Sequence, residues 1–86
     1  MALALIFAAT ACKENSQSKA YDRATEREQH FTTETAPAIV AQYQAVIRIE
    51  PNSAWATRAK RRIEAVQARL TAEEQHKAVF QEHGVD

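Results

Sequence analysis

Hydrophobic and polar positions divide the 86-residue chain into stretches of different pattern. Ala2 to Ala11 is an unbroken run of apolar and small residues without a charge, and it gives way abruptly to Lys13-Glu14-Asn15-Ser16-Gln17-Ser18. That polar stretch reads as a short flexible tether. From Lys19 to His30 no Gly or Pro interrupts a charged sequence in which Ala20, Tyr21, Ala24 and Phe31 fall roughly on one side. The spacing predicts a helix there with Ser18 as its N-cap.

The clearest period follows. Thr32-Thr33-Glu34-Thr35-Ala36-Pro37 has the form of a helix start, because a proline is tolerated in the first turn, where backbone N–H groups lack intrahelical partners. At 100° per residue, Ala36, Ile39, Val40, Tyr43, Val46 and Ile47 occupy an arc of about 120°. Pro51 ends this helix, and Asn52-Ser53 supplies a turn and the next N-cap. Beyond it Trp55, Ala56, Ala59, Ile63, Val66 and Leu70 fill an arc of about 100°. A connection this short predicts an antiparallel hairpin with a core of Ile39, Val40, Tyr43, Val46 and Ile47 against Trp55, Ile63, Val66 and Leu70. After Leu70 the apolar arc stops, and Ala72, Val79 and Phe80 form a stripe on another side. Thr71 with Glu74 matches a capping box, so two outcomes stay open: a break at Thr71 with a third short helix, or one helix running to about His83.

Composition supports an all-α fold. With one Gly and two Pro in the chain, strands and turns are disfavoured, while Ala, Glu, Arg and Gln favour helix. Eleven basic residues balance eleven acidic ones, so no bulk field selects nucleic acid or an acidic substrate. The length allows one small domain and excludes a multi-domain enzyme and a polytopic membrane protein, and a single cysteine excludes a disulfide scaffold. Without its first eleven residues the chain is near the size, about 70–80 residues, at which one core barely offsets chain entropy.

The first run is too short for the roughly 20 residues of a transmembrane helix, but has the length of a signal-peptide apolar region. It ends in Ala9-Thr10-Ala11 directly before Cys12, the chain's single cysteine. This junction resembles the lipobox of bacterial lipoproteins, in which the signal is cut before a cysteine whose sulfur carries diacylglycerol; Ala9 stands where that family usually has Leu. A signal peptide opens on Lys or Arg, whereas Met1 is followed by Ala2 and Leu3, which for such a segment puts its true start upstream of Met1. The resemblance implies lipidation at Cys12, an anchor of several acyl chains at about 0.8 kcal/mol per buried methylene, and three regions: signal 1–11, lipidated cysteine and tether 12–19, helical domain 20–86. In lipoproteins of enteric type Asp after the cysteine favours the inner membrane; Lys13 therefore implies the periplasmic face of the outer membrane. The competing reading makes Ala2 to Ala11 a buried helix and Cys12 a core thiol.

Ile39 to Ala56 resembles the second helix, turn and following helix start of a tetratricopeptide repeat. Tyr43 stands eight residues before Pro51, the spacing that family uses between a large aromatic and its helix-closing proline, and a 34-residue unit would span Ala20 to Ser53. The first helix departs from that pattern, with Arg23, Glu26, Arg27 and His30 at the Trp, Leu, Gly and Tyr positions. Ile39 also replaces the family's small residue. Repeat units bury one another's faces and about three are needed for stability, so one and a half units imply a partner.

Little in the chain points to catalysis. His76 and His83 are seven apart on one helix side, with Glu73 or Gln75 near, but no third ligand is fixed and no His-Glu-x-x-His or cysteine pair occurs. Ser16, Ser18 and Ser53 lie in tether or turn, no Gly-x-Ser-x-Gly elbow is present, and Glu73 and Glu74 diverge by about 100°. No enzyme, metal, cofactor, nucleic-acid or small-molecule role is expected. Arg58, Arg62 and Arg69 line up within about 40° beside the apolar arc. They form either a stripe that grips phosphates or an acidic groove, or, as the pairs Lys60–Glu64 and Arg69–Glu73 favour, a solvated face.

The expectation is a lipid-anchored, periplasm-facing helical module that contacts another protein through Val79 and Phe80, with Arg58, Arg62 and Arg69 as further candidates. Two alternatives stand beside it: a bundle that pairs with itself through Val79 and Phe80, and a soluble cytoplasmic helical protein.

Overall fold

A computed structural model describes the backbone of residues 2–82 and the side chains of residues 13–77. The fold is all-α: α1 (Ala2–Glu28), α2 (Ala36–Ile49) and α3 (Ala54–Glu82), with no strand among the described residues. None of the described helices is long and apolar enough to cross a membrane.

Two boundaries differ from the sequence expectation. Residues 13–18 are not a loose tether; they lie within α1, which does not begin at a Ser18 cap. The reason is Gln17, which is buried and tied to the end of α2, so tertiary contact holds helical a stretch whose polarity alone suggests solvent. At the other end α3 passes Thr71 without a break, and the Thr71 hydroxyl donates back to the Gln67 carbonyl at 3.0 Å instead of capping a new helix. Val79 and Phe80 lie on this helix, and their side chains, like those of Cys12 and His83, lie outside the described residues.

Local chemistry explains the remaining ends. α1 closes through turns in which the amides of His30 and Phe31 donate to the Arg27 and Glu28 carbonyls. Thr32 and Thr35 then exchange bonds, each amide donating to the other's hydroxyl at 2.9 and 3.1 Å, and this turn leads into α2 with Pro37 in its first turn. Glu50, before Pro51, is extended at φ −152° and ψ 98°, as the proline ring requires of its predecessor, and α2 stops. The Ser53 hydroxyl accepts from the Ala56 amide at 3.0 Å and caps α3.

The core forms where the three helices overlap. Ile39, Tyr43 and Val46 are its largest fully buried apolar side chains, joined by Val66 and by Ala24, Ala36 and Ala59. Val40, Ile47, Trp55, Ile63 and Leu70 pack against it while remaining partly exposed, together with Ala20, Tyr21 and Phe31. Tyr21 sits between two other rings, 5.8 Å from Tyr43 and 5.3 Å from Trp55, both tilted. Because α3 is about twice as long as α2, 29 residues against 14, and α1 also overhangs, the molecule is a rod of 70 × 19 × 13 Å. Its radius of gyration is 17.7 Å. A compact domain of this length would have about 12 Å.

Candidate functional site

Among the described residues, three regions hold the polar chemistry: a carboxylate network in the middle, the end where α1 meets the α2–α3 turn, and residues 71–77 of α3.

Glu28 organises the first. It sits in the last turn of α1, where the helix dipole disfavours a negative charge, so it needs cationic compensation from outside the helix. Arg62 on α3 supplies it with both prongs of its guanidinium, Nε donating to Oε1 at 3.0 Å and Nη2 to Oε2. The Tyr43 hydroxyl donates to the same Oε1 at 2.7 Å, so one carboxylate ties all three helices. The side chains of Glu28 and Arg62 are 19% and 41% exposed, which leaves the pair at the edge of the core and not sealed in it. Partial burial alone would raise the Glu28 carboxyl; the hydrogen bonds from Arg62 and Tyr43 and the positive charges of Arg62 and Arg69 outweigh it and hold Glu28 below its ordinary value. Burial, and then the bond to Glu28, push the Tyr43 phenol well up. The hydrogen bond to Glu28 likewise raises Arg62 further.

The arginine stripe is therefore engaged within the chain. Besides Arg62 on Glu28, the Arg58 guanidinium lies 4.8 Å from the centre of the Trp55 ring, and Arg69 lies 4.2 Å over Phe31 while donating to Glu73 at 3.3 Å. Arg62 and Arg69 thus reach from α3 to α1 and to the turn after it, while Arg58 stays on its own helix.

The second region is a cleft of about 250 Å³ lined by Lys13, Glu14, Gln17, Glu50, Ser53 and Trp55. Its volume is below the roughly 300–1,000 Å³ typical of ligand sites. Gln17 forms its floor: the side-chain amide donates to the carbonyls of Val46 at 2.8 Å and Glu50 at 3.0 Å, so a side chain of α1 caps the C-terminal end of α2. Third, residues 71–77 of α3 are exposed throughout and carry Glu73, Glu74, His76 and Lys77. Among the described residues no three His, Cys, Asp or Glu side chains are placed to hold a metal ion.

Gln17 and Glu28 were not legible as site residues from polarity, yet a signal exists. Gln17, Tyr21, Ala24, Glu28 and Phe31 follow a 4-3-4-3 spacing, the seam of a packed helix, and the two polar members of that seam are the two that make interhelical bonds. A second regularity joins α1 to α3: Glu28 meets Arg62 and Tyr21 meets Trp55, each across 34 positions. Comparison with protein-family models, with curated proteins and with solved structures returns no match.

Proposed function

We propose that this chain is a lipid-anchored, periplasm-facing helical module, attached through Cys12, that binds another protein with the far half of α3. The observation that carries the binding role is the overhang of α3. Residues 71–77 stand exposed beyond the packed core, and the helix continues to Glu82, carrying Val79 and Phe80. Residues 71–77 have no core to cover, and an amphipathic helix with apolar residues such as Val79 and Phe80 suits a partner groove. The 34-position register between α1 and α3 supports the tetratricopeptide-like reading, because that is the period at which successive units of such repeats stack. The anchor rests on the apolar run, the small triplet Ala9-Thr10-Ala11 and the single cysteine.

The tests are separable. In a bacterial host, labelled palmitate should mark the wild-type chain, and Cys12→Ala should abolish both label and membrane fractionation; an unlabelled wild type would end the anchor reading. For the binding role, the chain from Cys12 onward carrying Cys12→Ser should sediment as a monomer. A stable dimer that Phe80→Glu dissociates would favour the self-pairing bundle instead.

A further inference from the structure

We infer that, once the chain is cut before Cys12, the end of the module formed by residues 13–17 of α1 and the α2–α3 turn rests on the lipid headgroups, so that the module stands upright on the membrane with Trp55 at the interface. The inference rests on the anchoring of Cys12 proposed above and adds its geometry. Residues 13–17 continue α1 as helix, so Gln17 follows Cys12 by about 7–8 Å at 1.5 Å per residue. Gln17 is fixed to α2 by its two bonds to the Val46 and Glu50 carbonyls. Lys13, the residue next to the anchor, lines the same cleft as Ser53 and Trp55. Acyl chains on Cys12 therefore bring the bilayer to this cleft without an intervening tether. The polar layer of one leaflet is about 5–8 Å deep, comparable to the rise from Cys12 to Gln17.

Trp55 suits that depth. It is half-buried, with its remaining surface at the cleft and Arg58 over its ring, and an indole combines an apolar body with a polar N–H that favours the headgroup level. The charges around it balance, Lys13 and Arg58 against Glu14 and Glu50, so the covalent anchor and the rigid helix set the orientation and anionic lipid is not required. α3 starts at this end and leads away from it. Thr71 stands about 26 Å along the helix from Ala54, and Lys77 about 35 Å, which carries the exposed half of α3 clear of the headgroups.

The chain's single tryptophan and single cysteine make the test direct. Lipidated protein from a bacterial host is reconstituted in phosphatidylcholine vesicles. In parallel the chain from Cys12, its helix content checked by circular dichroism, is coupled by its thiol to vesicles bearing maleimide headgroups. In both, Trp55 emission should shift to shorter wavelength, and lipids brominated near the headgroup should quench it more than lipids brominated near the bilayer centre. Adding anionic lipid or salt should change neither. A Gly/Ser linker inserted between Cys12 and Lys13, outside the packed core, should abolish the quenching while leaving the protein attached. Emission and quenching equal to those of uncoupled protein would overturn the orientation even if mass spectrometry finds the acyl chains on Cys12. Quenching in the coupled arm with no acyl mass on the cellular protein would overturn the anchor alone.

Discussion

Tyr43 ends in a hydroxyl that must find an acceptor, because its ring is fully buried, and Glu28 is that acceptor. A hydrogen bond to a charged group contributes about 1.5–3 kcal/mol, so Tyr43→Phe should destabilise the fold by about 2 kcal/mol, or roughly 10 °C in Tm for a domain of this size. Calorimetry of the two proteins checks it, and equal midpoints would remove Tyr43 from the network. Glu28 adds a pH dependence. In the unfolded chain a glutamate titrates at about 4.3, and folding holds Glu28 lower. The native state thus binds fewer protons between the two values, so the network's contribution is full above about pH 4.3 and drains away as pH falls through the folded value. Glu28→Gln should be less stable than wild type at pH 7, and urea titrations should show the gap closing as pH falls below the value of an unfolded glutamate; a gap unchanged with pH would contradict this. Small residues matter as much as these polar ones. Ala59 has no exposed surface whereas Ala68 on the same helix is exposed, so Ala59→Leu should cost about 1–3 kcal/mol by overpacking and Ala68→Leu close to nothing. Urea midpoints of the two variants compare them directly.

At the scale of the helices, the sequence was most informative about α2 and least about α1. The arc from Ala36 to Ile47 and the stop at Pro51 are local facts, written in periodicity and in the proline ring, and α2 follows them. Ile39, Tyr43, Val46 and Val66 are buried as the arcs of α2 and α3 suggest, while Trp55, Ile63 and Leu70 only flank the core, because α1 covers part of α3 and leaves its rim to solvent. The polar run 13–18 carried a weaker cue, the 4-3-4-3 spacing that Gln17 opens, which marks a seam without naming its partner. Its helical state depends on Gln17 reaching carbonyls 29 and 33 positions away, a partner that periodicity cannot see. The arginine stripe was legible as a stripe, and Arg58 over Trp55 is a local contact three residues apart on α3, but the partners Glu28 and Phe31 depend on how α1 and the turn after it lie against α3. This assigns Gln17 a measurable role. Gln17→Leu preserves volume and removes both donors, leaving the end of α2 to other partners, and should cost about 1–3 kcal/mol with the loss concentrated at the junction of α1 and α2. Amide exchange in residues 13–20 and 46–50 should accelerate more than in residues 56–66; uniform acceleration would mean that the bond to α2 is not what holds this end.

Over the whole molecule, a rod 70 Å long with its buried side chains gathered where three helices overlap cannot be equally stable along its length. Helices shorter than about 12–15 residues are marginal in water without tertiary contact, and residues 71–77 of α3 are exposed. Residues 71–77 are exposed on every side, and of their charges Glu73 is held by Arg69, an i,i+4 pair at the surface that contributes at most a few tenths of a kcal/mol. Stability should therefore fall in steps away from Tyr43. Amides of residues 40–47 and 59–66 should exchange only through global unfolding, and those of residues 71–77 through local fraying at rates near those of an isolated helix. A chain ending at Gln75 should keep the wild-type urea midpoint while losing the partner contact proposed for Val79 and Phe80, which separates the fold from the function in one variant. If that truncation unfolds the bundle, the far half of α3 belongs to the core after all, and the protruding helix ceases to be a surface held ready for another protein.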